Sequence, residues 1–282
     1  MHAVHERWQM DWKVGIRLGD GQYVHLATVR DPYAAVFIAW DLYQVPSKHA
    51  HVRETDVRAT LRRAFAEWGL PDELQTDGEP ILNPQSHDQF PSRFQLWLIG
   101  LGICHHRIRP GIATDDAEVE RAHHTTYEYA FLGNLDKTMP QMQQILQQAR
   151  QELNGEYPSL AHGCLHRPPL VAHPEVLRPK RCFNPQREAE FFELARVDAH
   201  LAGLKWFRKV GKFGQITIAG EHETYTVGRS YAQQIVRVHF DPRDRHFVVS
   251  DEQNHEIKRW PARHLTTIEI LNLPTDSFVN VL

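Results

Sequence analysis

Asp11, Asp77 and Glu120 are three acidic residues whose places along the chain let their carboxylates converge. Two like charges about 4 Å apart repel by roughly 4 kcal/mol at an effective dielectric of 20, so such a cluster requires protons or cations. Hard carboxylate oxygens select Mg²⁺ or Mn²⁺. Two such ions activate an attacking hydroxyl and stabilise the leaving oxygen of a phosphodiester. Glu118 competes with Glu120, yet its spacing from Asp115 fits a capping-box-like helix start, and only one of the two can face the aspartates.

The surrounding pattern supplies the elements that would hold these groups. Met10, Trp12, Val14, Ile16 and Leu18 alternate with Gln9, Asp11, Lys13 and Arg17, which predicts a long strand with Asp11 in its middle. Gly19-Asp20-Gly21 is turn chemistry, Tyr23 to Val29 reads as a second strand and Val36 to Trp40 as a third. The period then changes: Val57, Leu61, Ala64, Phe65 and Trp68 mark a helix stopped by Gly69 and Pro71. Glu73 to Thr76 reads as a strand that delivers Asp77. Phe90 to Leu101 reads as a helix, Ile103 to Ile108 as a strand, and a further helix opening near Asp115 carries Glu120. Met142, Ile145, Leu146, Ala149 and Leu153 mark one more. Three antiparallel strands followed by two right-handed crossovers predict an α/β fold, a five-stranded mixed sheet with flanking helices. In it the fourth strand lies beside the first, so Asp11 and Asp77 become neighbours.

Residues 156–186 are proline-rich and aperiodic, a linker or extended wrap, and a helix is expected over about 186–204. Five short strands follow, at Gln215–Ala219, Thr224–Val227, Ile235–Phe240, His246–Ser250 and Glu256–Trp260, and suggest a small closed barrel. The expected division is 1–155 core, 156–204 linker and helix, 205–270 barrel and 271–282 tail.

The 282 residues, 41% hydrophobic and 24% charged, belong to a soluble globular protein. No window approaches the ~18 to 20 apolar residues of a membrane helix and no signal-peptide stretch opens the chain, so no membrane partner is expected. Three widely spaced cysteines argue against a disulfide framework. His162, Cys164, His166, His173 and Cys182 match no zinc-finger spacing. The net charge of −3 argues against a nucleic-acid partner until it is divided along the chain. Residues 1–155 carry 15 basic against 20 acidic side chains, whereas residues 205–270 carry 11 against 8. The acid sits in front, where metal would offset it, and the base behind.

The stretches WQMD (8–11), LQTDG (74–78) and DAEVERAHHT (116–125) resemble the signature blocks of the DDE integrase and transposase superfamily. Leu101-Gly102-Ile103 and Arg109-Pro110-Gly111 resemble the approach to its glutamate helix. The resemblance covers about residues 8–130, and the remainder is similar to bacterial integrase-like transposases. It implies an RNase H-like core followed by a linker helix and a small SH3-like β-barrel. It also implies an Asp11, Asp77 and Glu120 triad holding two Mg²⁺ (or Mn²⁺) ions, and DNA strand cleavage followed by 3′-OH strand transfer. A homo-oligomer acting on DNA in the prokaryotic cytoplasm, at the nucleoid, is expected. Only ten residues precede Asp11, so end recognition is expected from a separate protein.

His123, three residues past Glu120, matches the superfamily's block and is expected, with Arg121, to contact DNA; a packed histidine and a structural ion pair are the alternatives. Lys205, Arg208, Lys209 and Lys212, interleaved with Trp206 and Phe207, read equally as a phosphate-tracking edge or a solvated charge run. Trp8 and Trp12 read as packing. Two competing functions remain open: a non-catalytic DNA-binding or assembly subunit, split or domesticated, and a nuclease recruiting a fourth carboxylate from Asp31, Glu79 or Asp88.

Overall fold

The structure, a computed structural model, describes residues 2–76, 89–107, 124–218 and 224–272. Along the chain come β1 (Arg7–Arg17), β2 (Tyr23–Asp31), β3 (Val36–Val45), helix α1 (Glu54–Trp68), β4 (Glu73–Thr76), helix α2 (Arg93–Gly100), β5 (Cys104–Arg107), a π-helical turn Tyr127–Phe131 and helix α3 (Met139–Gly155). After several one-turn helices follow α4 (Leu194–Ala202), β6 (Lys205–Lys209), β7 (Gln215–Thr217), β8 (Thr224–Thr226), β9 (Ile235–Asp241), β10 (His246–Ser250), β11 (Glu256–Pro261) and α5 (Thr267–Leu271). These residues divide into two compact units, with 2–76, 103–107 and 124–188 in the first and 89–102, 189–218 and 224–272 in the second. Among the described residues no helix is long and apolar enough to cross a membrane.

The first unit is built on a five-stranded sheet of order β3-β2-β1-β4-β5. β1, β2 and β3 pair antiparallel, while β1–β4 and β4–β5 are parallel. That mixed sheet with helices on both faces fits an RNase H-like α/β core. One face packs on α1, where the Trp8 ring lies 5.8 Å from Phe65 and Tyr43 bonds Thr60 at 2.8 Å. Leu26, Trp40 and Leu42 on the other face pack with Met142, Leu146 and Ala149 of α3.

One feature of β1 departs from the alternation. The ladder with β2 slips between Lys13 and Ile16, at Gly15, whose φ is +70° and whose missing Cβ would fall 2.6 Å from the Lys48 carbonyl oxygen. A bulge inserts one extra residue and so exchanges the faces beyond it. Met10 and Trp12 therefore face α1, whereas Ile16 and Leu18 join the α3 cluster and Val14 is half exposed.

Helix α3 also closes the edge of the sheet. The Phe37 N–H donates to Asn154 Oδ1 (2.9 Å) and Asn154 Nδ2 donates to the Phe37 carbonyl (2.8 Å). Leu42 N–H donates to Gln143 Oε1 (2.7 Å), Gln143 and Gln147 both donate to the Trp40 carbonyl, and Arg150 Nη1 donates to the Ile38 carbonyl (2.7 Å). Positions 143, 147, 150 and 154 recur at helical spacing, so one stripe of α3 occupies the hydrogen-bonding edge of β3.

The proline-rich stretch forms one-turn helices at Pro169–Ala172, Pro174–Leu177 and Pro185–Arg187, each begun by a proline whose missing N–H costs nothing there. It is anchored on the core unit: Leu70 N–H donates to the Arg181 carbonyl (2.8 Å) and the Cys164 thiol is buried facing the Ala34 carbonyl. The single helix expected over 186–204 is interrupted. Glu188–Phe191 and α4 are separate, and the Glu193 N–H donates instead to the Gly100 carbonyl at 2.9 Å. Phe192 packs so closely on Gly100 that a Cβ there would lie 2.0 Å from its ring.

The second unit carries a four-stranded antiparallel sheet, β11-β10-β9-β6, and the β7–β8 hairpin. Trp206, Phe240 and Phe247 are buried, and Phe90 lies 5.1 Å from Trp206. Sequence periodicity places a strand at each of β7 to β11; Lys205–Lys209, which reads equally as a phosphate-tracking edge or a charge run and not as a strand, is the edge strand β6.

Candidate functional site

β1 carries Asp11 half-buried on the α3 face, directly opposite Thr28, which in turn stands opposite Trp40. Gln9, two residues earlier on the same face, stands beside Gln75 of β4, and Gln75 beside His106 of β5. Gln9 Oε1 and Thr28 Oγ1 are buried atoms without a hydrogen-bond partner among the described residues. Native interiors rarely leave such atoms orphaned, and their gathering around one carboxylate suits a site that binds something polar. Arg7, one further step along this face, bonds Glu73 at 2.6 Å.

The parallel register fixes what surrounds Asp11. Trp8 stands opposite Leu74, Gln9 opposite Gln75 and Met10 opposite Thr76. Asp11 and Asp77 are the residues that follow that last pair in sequence. Asp77, Glu120, Arg121 and His123 lie outside the described residues, as does the helix expected near Asp115. Residues 124–126 are helical and lead into the π-helical turn, whose Tyr127 ring has Lys13 Nζ 5.5 Å from its centroid. Lys13 is two residues from Asp11 and shares its face. Beside it, a cavity of about 230 Å³ is bounded by the Gly15 bulge, Leu26, Tyr127 and Phe131.

On the α1 face of β4, the Thr76 hydroxyl and His105 Nε2 lie 2.9 Å apart. Burial, helped by the neighbouring His106, pushes His105 down to about 4, so at neutral pH its ring is uncharged. His105 and His106 thus point to opposite faces, one to Thr76 and one toward Glu73, 3.4 Å away. Trp8 and Trp12 are buried, as packing residues would be. Among the described residues no three His, Cys, Asp or Glu side chains are grouped for a metal ion.

The basic residues of the second unit fall into two sets. Lys205 and Lys209 are exposed on the outer face of β6, and Lys212, exposed in the following turn, lies 4.9 Å from the Phe213 ring centroid. Arg208 points to the other face, where its Nε donates to the Thr217 carbonyl (3.0 Å) and ties β6 to the hairpin. Arg259 is held by Glu256 and Asp244, and Lys258 donates to the Thr226 carbonyl. Sequence reasoning had grouped Arg208 with the lysines; strand alternation through Lys205–Lys209 separates them. It had left out Ile235 and His239, which share the lysines' face through the β6–β9 register.

No protein family matches the sequence, and no curated protein matches it. Among solved structures, the chain is similar to the catalytic core domain of BIV integrase, at 16% identity and a TM-score of 0.43 over 61% of this chain and 95% of that one. It is similar to a chain of the simian T-cell lymphotropic virus intasome in complex with PP2A regulatory subunit B56 gamma, at 16% identity and a TM-score of 0.44 over 92% of this chain and 77% of that one. The HTLV-2 integrase catalytic core domain in complex with magnesium aligns at 14% identity and a TM-score of 0.42 over 60% of this chain and 96% of that one. These neighbours are retroviral integrase structures at low identity.

Proposed function

We propose that the chain is a DDE-type polynucleotidyl transferase that cleaves a DNA strand and directs the 3′-hydroxyl at target DNA. The observation that carries this reading is the β1–β4 register, which stands Met10 opposite Thr76, so that the two residues next in sequence are both aspartates. Orphaned polar atoms around Asp11 and the placement of residues 124–131 against β1, on the Asp11 face, support it. Asp11, Asp77 and Glu120 are the proposed triad, with Arg121 and His123 beside the DNA.

The all-oxygen donor set of the triad fits Mg²⁺ or Mn²⁺, which Asp11, Asp77 and Glu120 would hold. Such ions, when bound, make a bound water or hydroxyl nucleophilic and stabilise the leaving oxygen. Asp11 contributes a carboxylate on a central strand, paired with Thr28 of β2 and directly after the last residue paired with β4. Neutral His105 fixes the Thr76 hydroxyl immediately before Asp77 without adding positive charge that would compete with a cation. Lys205, Lys209 and Lys212 are the proposed phosphate contacts of a C-terminal SH3-like barrel spanning 205–270, joined to a 1–155 core by the 156–204 segment. Arg208 supports that surface from behind. The chain is proposed to act as a homo-oligomer on DNA, with a separate protein recognising the element's ends.

The test is strand transfer of a labelled oligonucleotide into plasmid with Mg²⁺ or Mn²⁺. Transfer present in wild type and lost in Asp77→Asn is expected. Salt-dependent DNA binding with no metal-dependent cleavage, even with a partner protein added, would instead establish a DNA-binding assembly subunit.

A further inference from the structure

We infer that the outer face of β6 and β9 holds an unpaired DNA strand, with a base stacked on Phe207 and the adjoining phosphates against Lys205 and Lys209. The inference takes DNA as the polymer from the transferase reading; the choice of an unpaired strand comes from the face itself.

The register places Lys205 opposite His239, Phe207 opposite Arg237 and Lys209 opposite Ile235. Side chains two apart on a strand share a face about 6.6 to 6.8 Å apart. An aromatic ring is therefore bracketed by ammonium groups along β6 and flanked by a guanidinium on β9. Phe207 is 59% exposed and Ile235 56%, although the opposite face of the same sheet is a filled core containing Trp206, Val238 and Phe247. A phenylalanine is not needed outside to complete that core.

Charge on this face is unspent. Among the described residues none of Lys205, Lys209 or Arg237 forms an ion pair, and Arg237 Nε and His239 Nδ1 lack hydrogen-bond partners. Across the same face, toward β10 and β11, the pattern is the reverse: Asp241 pairs with Arg243 at 2.8 Å, and Asp244 and Glu256 pair with Arg259. The carboxylates are neutralised locally and leave the β6 end cationic.

The cations alone would attract duplex and single strand alike. The exposed ring distinguishes them. A duplex hides its base faces in the stack, so Phe207 would meet sugar and phosphate. An unpaired strand presents base faces beside its own phosphates, and aromatic side chains on an open sheet surface stack them. Arg237 extends the platform, since a guanidinium plane also stacks.

The full chain in EDTA, titrated against a labelled 15-nucleotide oligothymidine and a 15-base-pair duplex in fluorescence anisotropy, tests this. The single strand is expected to bind at least fivefold more tightly. Phe207→Leu, which keeps an apolar group but removes the ring, is expected to weaken the single strand about tenfold, the scale of one lost base stack, and to change the duplex less than twofold. Lys205→Gln and Lys209→Gln are expected to weaken both and flatten the salt dependence. Thermal melting of each variant verifies that it folds. Equal affinity for duplex, an unchanged Phe207→Leu variant, or tighter binding of oligouridine RNA would overturn the inference. Metal-dependent nicking is measured separately, so its loss with single-strand binding intact rejects the transferase reading alone.

Discussion

The two sides of the core sheet are built by opposite means. On the β3 side, Gln143, Gln147, Arg150 and Asn154 of α3 satisfy backbone groups of Phe37, Ile38, Trp40 and Leu42. On the β1–β4–β5 side the α3 face presents Arg7, Gln9, Asp11, Glu73 and His106. The first side spends its polar groups on its own backbone. On the second, Glu73 pairs with Arg7 and lies 3.4 Å from His106, while Gln9 Oε1 and Thr28 Oγ1, on Asp11's face, have no hydrogen-bond partner among the described residues.

The largest effect expected from breaking that contrast is at Asn154. Replacing it by Leu leaves the part-buried N–H and C=O of Phe37 without their partner, which costs about 2 to 4 kcal/mol and lowers Tm by about 5 to 12 °C in a thermal melt. Gln143→Leu leaves the Leu42 N–H alone, since Gln147 still reaches the Trp40 carbonyl, and is expected to cost about 1 to 3 kcal/mol in urea titration. Equal melting temperatures for these variants and wild type would show that the α3 stripe does not close the edge.

On the other side the effects are smaller and depend on pH. His105 titrates near 4 when folded, below its unfolded value of about 6.5, so the unfolded chain takes up the proton first as pH falls. Its contribution to stability is present above about pH 6.5 and is lost as pH falls toward 4. His105→Gln, which can still bond Thr76, is expected to flatten the fall in urea midpoint between pH 7 and pH 4.5; an unchanged slope contradicts the burial argument. Glu73→Gln removes a partly exposed pair with Arg7 and is expected to cost less than about 1 kcal/mol.

Much of this architecture was legible in the residues. Alternation through Met10–Trp12 identified β1 and the change of period at Val57 identified α1, because burial on one face leaves that periodicity; Tyr23–Val29, buried on both faces, was legible instead from its apolar run after the Gly19-Asp20-Gly21 turn. The glutamines of α3 were opaque for the same reason: polar residues on a helix read as solvated, and only the placement of β3 turns them into backbone partners. The Gly15 bulge was hidden because a slip in register changes no residue type, only which face the residues beyond it occupy. Phe192 and Glu193 break the expected helix through Gly100, a contact remote in sequence. For the site, Asp11, read through WQMD, lies on the strand expected for it, while Asp77, read through LQTDG, lies outside the described residues. That Thr28, Gln75 and His106 share the face of Asp11 required the register of four strands.

The central claim is that Asp11 serves metal-dependent phosphodiester chemistry. Nicking of supercoiled plasmid at fixed Mg²⁺ should be compared between wild type, Asp11→Asn and Asp20→Asn, the last removing a carboxylate of the exposed β1–β2 turn. The account predicts Mg²⁺-dependent nicking in wild type, a rate within twofold in Asp20→Asn and a loss of at least about a hundredfold in Asp11→Asn. The same rate in all three, or nicking that persists in EDTA, would contradict it.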